Sequence, residues 1–363
     1  MLSYALLLAI SMLLAVLVGK HRSSNTSFNG AVCEKKTGSL IVIFFATLPM
    51  VLFSGLRSRH NDTGTYVDTY ARLSLESLAG LISLDISNYP AYHATIYVLK
   101  LFGVGSQEYL LVTSFFYIFT AFYFYYKNAD RFSDAVFFFI ATGLFSFGMA
   151  GLKQSIGIGF SLVALHFFLR KKYGLSFAWM LMAGLFHPFV YVLALLPVLS
   201  FPIWRLRSIL LLFTFMVLAL IYGFATSHIE NVLRSIGLDY SDDILYGAAS
   251  INPLRVAFFA IVPTASFFLR KKINRNNDPL TNIAFNSSII VFAALLPALF
   301  SGANMFGRMA YNFIPLHVIA ASWICLYGFK RGDALSPVLF KLLYLFFFAY
   351  MVRDTGLFFA FFV

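Results

Sequence analysis

The stretch Arg57-Ser58-Arg59-His60-Asn61-Asp62-Thr63-Gly64-Thr65-Tyr66 follows directly on an apolar run, Ile41 to Leu56. Arginine forms paired hydrogen bonds to phosphate and carboxylate oxygens, so Arg57 and Arg59 read as an anion site. The plain structural alternative is that both snorkel at a membrane surface. Asp62 can orient an arginine, accept from a sugar hydroxyl or act as a base, and Tyr66 offers a sugar a hydroxyl and a ring. His187 sits in Leu185-Phe186-His187-Pro188, and no charged residue occurs between Lys172 and Arg205. An ionisable group in so apolar a context is costly unless it has work to do or a partner. The work would be general base catalysis, or a hydrogen bond to an acceptor hydroxyl. The alternative is a neutral imidazole bonded to a carbonyl that the proline sets free.

Further points carry the same chemistry. Lys153 opens an apolar run as Gly151-Leu152-Lys153-Gln154-Ser155, and Gly151, Gly157 and Gly159 would let a neighbouring helix or a lipid tail come close. Asn304, Arg308, Tyr311 and Pro315 are spaced four, three and four apart, which puts them on one helix face. Arg255 begins another apolar run, and Arg353 with Asp354 ends the last. Several basic groups on one side of a membrane imply an anionic, partly lipid-embedded substrate. A lipid diphosphate fits, with Arg57, Arg59, Lys153, Arg255 and Arg308 for the phosphates and Tyr66, Asn304 and Tyr311 for sugar. No phosphate loop, dinucleotide fingerprint or zinc-binding His-Glu-x-x-His is found, so neither a metal nor another cofactor is expected. Asp242-Asp243 would hold at most a weakly bound divalent ion.

These residues must be positioned by lipid-soluble helices. Of 363 residues 60% are hydrophobic and 12% charged, whereas soluble domains carry about 25% charged residues. The chain is therefore an all-α, polytopic membrane protein, read as a single domain over 1–363. A span needs about 20 apolar residues. Ten stretches qualify: 1–19, 39–56, 107–126, 132–150, 153–169, 208–226, 251–269, 280–300, 303–327 and 334–352. The first is read as a retained span, because its basic residues follow the apolar run. The net charge of +12 comes as clusters at Lys20/Arg22/Lys35/Lys36, Lys127/Arg131, 170–172, Arg205/Arg207, 270–275 and Lys330/Arg331.

If all six clusters are cytoplasmic, the spans alternate only when 176–201 enters and leaves from that side, as a re-entrant or broken helix pair turning at His187-Pro188. One long tilted span kinked at the proline is the alternative. Both termini then lie outside, as do two loops, 57–106 with a short membrane-dipping helix after Pro90, and 227–250. Cys33 and Cys325 suggest neither a disulfide nor a metal site.

The chain resembles the EpsG family of bacterial exopolysaccharide proteins, which are similar in kind to the Wzy O-antigen and capsule polymerases. The likeness rests on the apolar span ending in Arg57-x-Arg59 with Asn61-Asp62-Thr63 and Tyr66, on Gly-x-Lys-Gln-Ser at 151–155, on Leu185-Phe186-His187, and on Arg308-x-x-Tyr311. The resemblance implies polymerisation of repeat units carried on undecaprenyl diphosphate, on the outer face of the bacterial cytoplasmic (inner) membrane. It implies no nucleotide sugar, and a flippase and a chain-length regulator as pathway partners. Arg57, Arg59 and Arg308 would hold diphosphate, and His187, or else Asp62, would serve the acceptor hydroxyl. Position 153 is commonly arginine in such proteins; lysine keeps the charge and loses the fork. Other classes remain open: a transporter of lipid-linked glycan, a glycosyltransferase using a lipid-phosphate sugar (for which Asp62, Asp68, Glu76 and Asp85 speak), a membrane acyltransferase, and a structural subunit.

Overall fold

The computed structural model describes residues 2–23, 38–58, 60–73, 89–214, 216–217, 250–300, 303–330 and 332–354. All regular structure among these residues is helical. Two compact units arise, Met1–Ala194 with Gly332–Val363, and Leu195–Arg331.

The first unit contains α1 (Leu2–Ser23), α2 (Gly38–Gly55), α3 (Thr63–Arg72), α4 (Pro90–Leu101), α5 (Ser106–Asn128), α6 (Phe132–Ala141), α7 (Leu144–Ala150), α8 (Leu152–Leu169) and α9 (Tyr173–Phe186). Its last helix comes from the far end of the chain, α14 (Leu335–Asp354). α5 packs against α2 and α8, α8 against α9, α9 against α4, and α6 against α1 and α14. Small residues set the α8 contacts. A Cβ on Gly157 would lie 2.8 Å from the Ala183 carbonyl oxygen of α9, and one on Gly159 would strike Thr120 of α5. Two of the three glycines foreseen as allowing close approach, Gly157 and Gly159, thus set α8 close between two helices, while a Cβ on Gly151 would meet Phe147.

Charge holds the unit together at a second place. Asp134, in the first turn of α6, is 1% exposed, with Lys341 Nζ of α14 at 2.6 Å and Arg131 Nη1 at 3.5 Å. Beside it, Tyr344 of α14 packs edge-on to Phe138 of α6, with ring centroids 4.7 Å apart.

The second unit contains α10 (Pro253–Phe259), α11 (Ile261–Asn276), α12 (Pro279–Leu295) and α13 (Ala303–Trp323), which ends in a wider π turn, Ile324–Gly328. α12 packs along α13. Its polar face satisfies loop backbone: Asn286 Nδ2 donates to the carbonyls of Leu199 and Phe201, and Asn282 Nδ2 to that of Ser200. Proline starts α10 and α12, where its missing N–H costs nothing, and each is capped by the residue before it, Asn252 or Asp278.

Among the described residues six helices are long and apolar enough to cross a membrane, or seven if one bent pair is a single crossing. The protein is thus all-α and multi-pass, but the described residues do not establish the ten crossings expected. The apolar parts of α1 and α2 are shorter, Tyr4–Val18 and Leu40–Gly55, and 208–226 is described only in part. The stretch 132–150, read as one span, is bent by 55° between α6 and α7. Thr142 Oγ1 bonds back to the Phe138 carbonyl at 2.7 Å. Gly143 then takes φ +79°, a left-handed conformation that glycine adopts at little cost and that ends helices.

The break expected at His187-Pro188 is present. α9 stops at Phe186, His187 is extended (φ −159°, ψ 118°), and Pro188–Ser200 winds as a 3-10 helix. Proline disfavours helical backbone in the residue before it. Tyr191 Oη donates to the Leu181 carbonyl at 3.5 Å, across ten residues that a straight helix would extend about 15 Å. The tyrosine side chain thus reaches back over the break.

Candidate functional site

The segment from Arg57 to Tyr66 closes over a second break, between α7 and α8 at Gly151. A helix leaves its last carbonyls and first amides without partners, and here two of those carbonyls and one of those amides are met by this segment. Tyr66 Oη donates to the Ala150 carbonyl (3.0 Å) and accepts from the Leu152 amide (3.1 Å). Arg57 Nη2 donates to the Met149 carbonyl (3.3 Å), and His60 Nε2 lies 3.4 Å from the Ser146 carbonyl.

Arg57 is 1% exposed. Its Nη1 donates to the Ser54 carbonyl and, at 3.3 Å, to Ser54 Oγ, and its Nε donates to Thr63 Oγ1 at 3.0 Å. One guanidinium thus bonds carbonyls in the last turns of α2 and α7, the negative ends of two helices. Burial lowers its pKa to about 10, which leaves it charged at neutral pH. Burial also lowers the His60 pKa to about 4, against the upward pull of the Ser146 carbonyl and with a smaller downward push from Arg57. His60 is neutral at pH 7. Asp62 precedes α3 with its side chain exposed, and Arg59 lies outside the described residues.

The break starts α8, and its second residue is Lys153. The ammonium lies 4.1 Å from the ring centroid of Tyr89 and 5.0 Å from that of Tyr92. The Tyr89 ring in turn meets the His187 imidazole at 5.2 Å. His187 is buried, with Phe189 on it at 5.4 Å. Two residues singled out from the sequence, 34 positions apart, therefore contact one tyrosine. Beneath them Tyr92 and Tyr109 share a hydroxyl–hydroxyl bond of 2.6 Å, Tyr70 stacks on Tyr109 at 4.6 Å, and Tyr66 meets Tyr92 edge-on.

Sequence reasoning gave Tyr89 and Tyr92 no part. The available signal was Tyr89-Pro90-Ala91-Tyr92, a helix start with aromatics three apart. Such spacing sets two rings on one side of a turn.

The second unit carries its own group. Arg255 Nη2 of α10 donates to Tyr311 Oη of α13, and its guanidinium carbon lies 5.0 Å from that ring's centroid. Arg308 is half-buried one turn earlier on α13, and Asn304 and Pro315 lie on the same helix. Asp242, Asp243, the rest of 227–249, and residues 74–88 with Glu76 and Asp85 lie outside the described residues.

Helices of this length and apolarity, with cations and tyrosines gathered at a helix break, define a multi-pass membrane protein built around polar sites. The family model of EpsG matches residues 40–361, and the chain belongs to the EpsG family. It is a multi-pass protein of the cytoplasmic (inner) membrane. No curated protein and no solved structure matches it.

Proposed function

We propose that this chain polymerises oligosaccharide repeat units carried on undecaprenyl diphosphate, at the outer face of the bacterial cytoplasmic membrane. Family membership supports a polysaccharide polymerase of the Wzy kind. The observation that carries the site is the meeting of Lys153 and His187 on the Tyr89 ring, which pairs a cation with a base. The acceptor hydroxyl of an incoming unit attacks the anomeric carbon of the growing chain, and its proton passes to the His187 imidazole. The bond from that carbon to the diphosphate oxygen breaks with its electron pair, and undecaprenyl diphosphate departs. Lys153 meets the charge that develops on the leaving oxygen.

Among the described residues each unit carries cations suited to a lipid diphosphate. Lys153 belongs to one unit; Arg255 and Arg308, with Tyr311 and Asn304 for sugar hydroxyls, belong to the other. Arg59 is a further diphosphate ligand, Asp62 the reserve base, and Tyr66 a sugar neighbour through its ring edge. Arg57, whose donors bond two helix ends, acts as a positioning residue. α1, α2 and the stretch 208–226 complete ten crossings, and a flippase and a chain-length regulator work beside the enzyme.

The test is the length of the glycan made by a strain deleted for the gene and complemented with Lys153→Ala or His187→Ala. The expected result is a single repeat unit in place of the ladder, with flipped precursor accumulating outside. A full ladder from both variants overturns the site, and precursor trapped inside the cell by the deletion itself makes the protein a transporter.

A further inference from the structure

The backbone at Tyr89 has φ +74° and ψ 48°, a left-handed conformation in which a bulky residue is strained and glycine is at ease. Strain of this kind persists where the surroundings over-determine it, and it gathers at functional sites. Here a tyrosine occupies it, and its ring is the surface on which the Lys153 ammonium lies at 4.1 Å and the His187 imidazole at 5.2 Å. Neither contact uses the hydroxyl. Both use the ring, whose negative face attracts the cation.

We infer that Tyr89 is the positioning residue of this site, its ring, which also meets His187, holding the Lys153 ammonium in the place where the diphosphate of the lipid-linked substrate binds. The inference rests on the polymerase reading for the identity of the ligand and deepens it by naming what sets the cation. Lysine has a flexible four-carbon stem and carries its charge as a point, so without a surface to rest on the ammonium samples many positions. Tyr92 adds a second ring at 5.0 Å. It is buried, and its hydroxyl is bonded to Tyr109, so it forms a fixed floor. Tyr89, half-exposed at the start of α4, is the member that faces outward from the core.

The experiment measures binding of geranylgeranyl diphosphate, with geranylgeraniol as control, to the purified full chain in lipid nanodiscs. Five proteins are compared: wild type, Tyr89→Phe, Tyr89→Gly, Lys153→Ala and the Tyr89→Gly/Lys153→Ala double variant that closes the cycle. Tyr89→Phe keeps the ring and should bind as wild type does. Tyr89→Gly relieves the backbone and should unfold at no lower temperature, yet bind the diphosphate about tenfold more weakly. In the double variant the loss should be no greater than for Lys153→Ala alone, because Tyr89 acts through the lysine.

Tyr89→Gly binding as wild type does, or losses that multiply in the double variant, would overturn the positioning role. Lys153→Ala binding unchanged would overturn it as well. Glycan ladders are run on the same variants. A deletion strain that keeps its ladder sinks the polymerase reading alone, while binding results of the expected form leave the positioning role standing.

Discussion

His60 stands against the Ser146 carbonyl and close enough to Arg57 to feel its charge. Unfolded, its imidazole takes a proton near pH 6.5; folded, it does so only near pH 4. Between those values the unfolded chain binds more protons than the folded one, so stability falls as pH drops through that window and levels off below it. His60→Gln keeps a donor for the carbonyl and has nothing to titrate. Thermal unfolding of both proteins in detergent from pH 7.5 to 3.5 should give a difference that changes between 6.5 and 4 and is flat outside. A constant difference would mean that the imidazole is solvated. Arg57 illustrates the complementary case. From the sequence it reads as an anion site, because its donors suit the paired oxygens of phosphate or carboxylate. The folded chain meets that need with carbonyls at the ends of α2 and α7, partners brought together from 95 residues apart (149 − 54), which no local pattern reveals.

At the scale of the element, the break at Gly151 is what the Arg57–Tyr66 segment serves. Tyr66→Phe keeps the ring and removes both hydrogen bonds across the break, leaving the Ala150 carbonyl and the Leu152 amide without them. A loss of about 1–3 kcal/mol of stability is expected, with weaker diphosphate binding, since Lys153 follows that amide directly. If only stability falls, the break does not set the lysine. The stop at His187 was legible because proline constrains its predecessor whatever the fold. The bend at 142–143 was not: it rests on one threonine hydroxyl and one glycine in a stretch of 19 residues, and hydropathy averages over both. Lys153 and His187 stood out as polar points in apolar surroundings. Tyr89 did not, because in a chain with 20 tyrosines a single ring carries no signal until its neighbours are known.

At the scale of the whole molecule, the first unit is closed by a helix from the far end of the chain. Asp134 and Lys341 are 207 residues apart and 2.6 Å in contact. Removing the lysine leaves a buried carboxylate with Arg131 alone, at 3.5 Å. Lys341→Met should therefore cost about 3–5 kcal/mol, and Asp134→Asn in the same protein should recover most of it. The measurement is unfolding of the single and double variants in detergent; losses that simply add in the double variant would show that the pair is not coupled. Sequence reading passed over Asp134, since a charge four residues after Asp130 and three after Arg131 looks like part of a solvated cluster. Only the arrival of α14 shows it to be enclosed.

That enclosure has a consequence for biosynthesis. A ribosome delivers α6 to the membrane long before it delivers α14, so for the time needed to make some 200 further residues the carboxylate of Asp134 has no lysine to meet it. At about 5–20 residues per second that wait lasts some tens of seconds or less. Throughout it Arg131 is the one of its two cationic partners already made. Completion of α14 then brings Lys341 to the waiting carboxylate, so this part of the first unit closes only after α14 has been made.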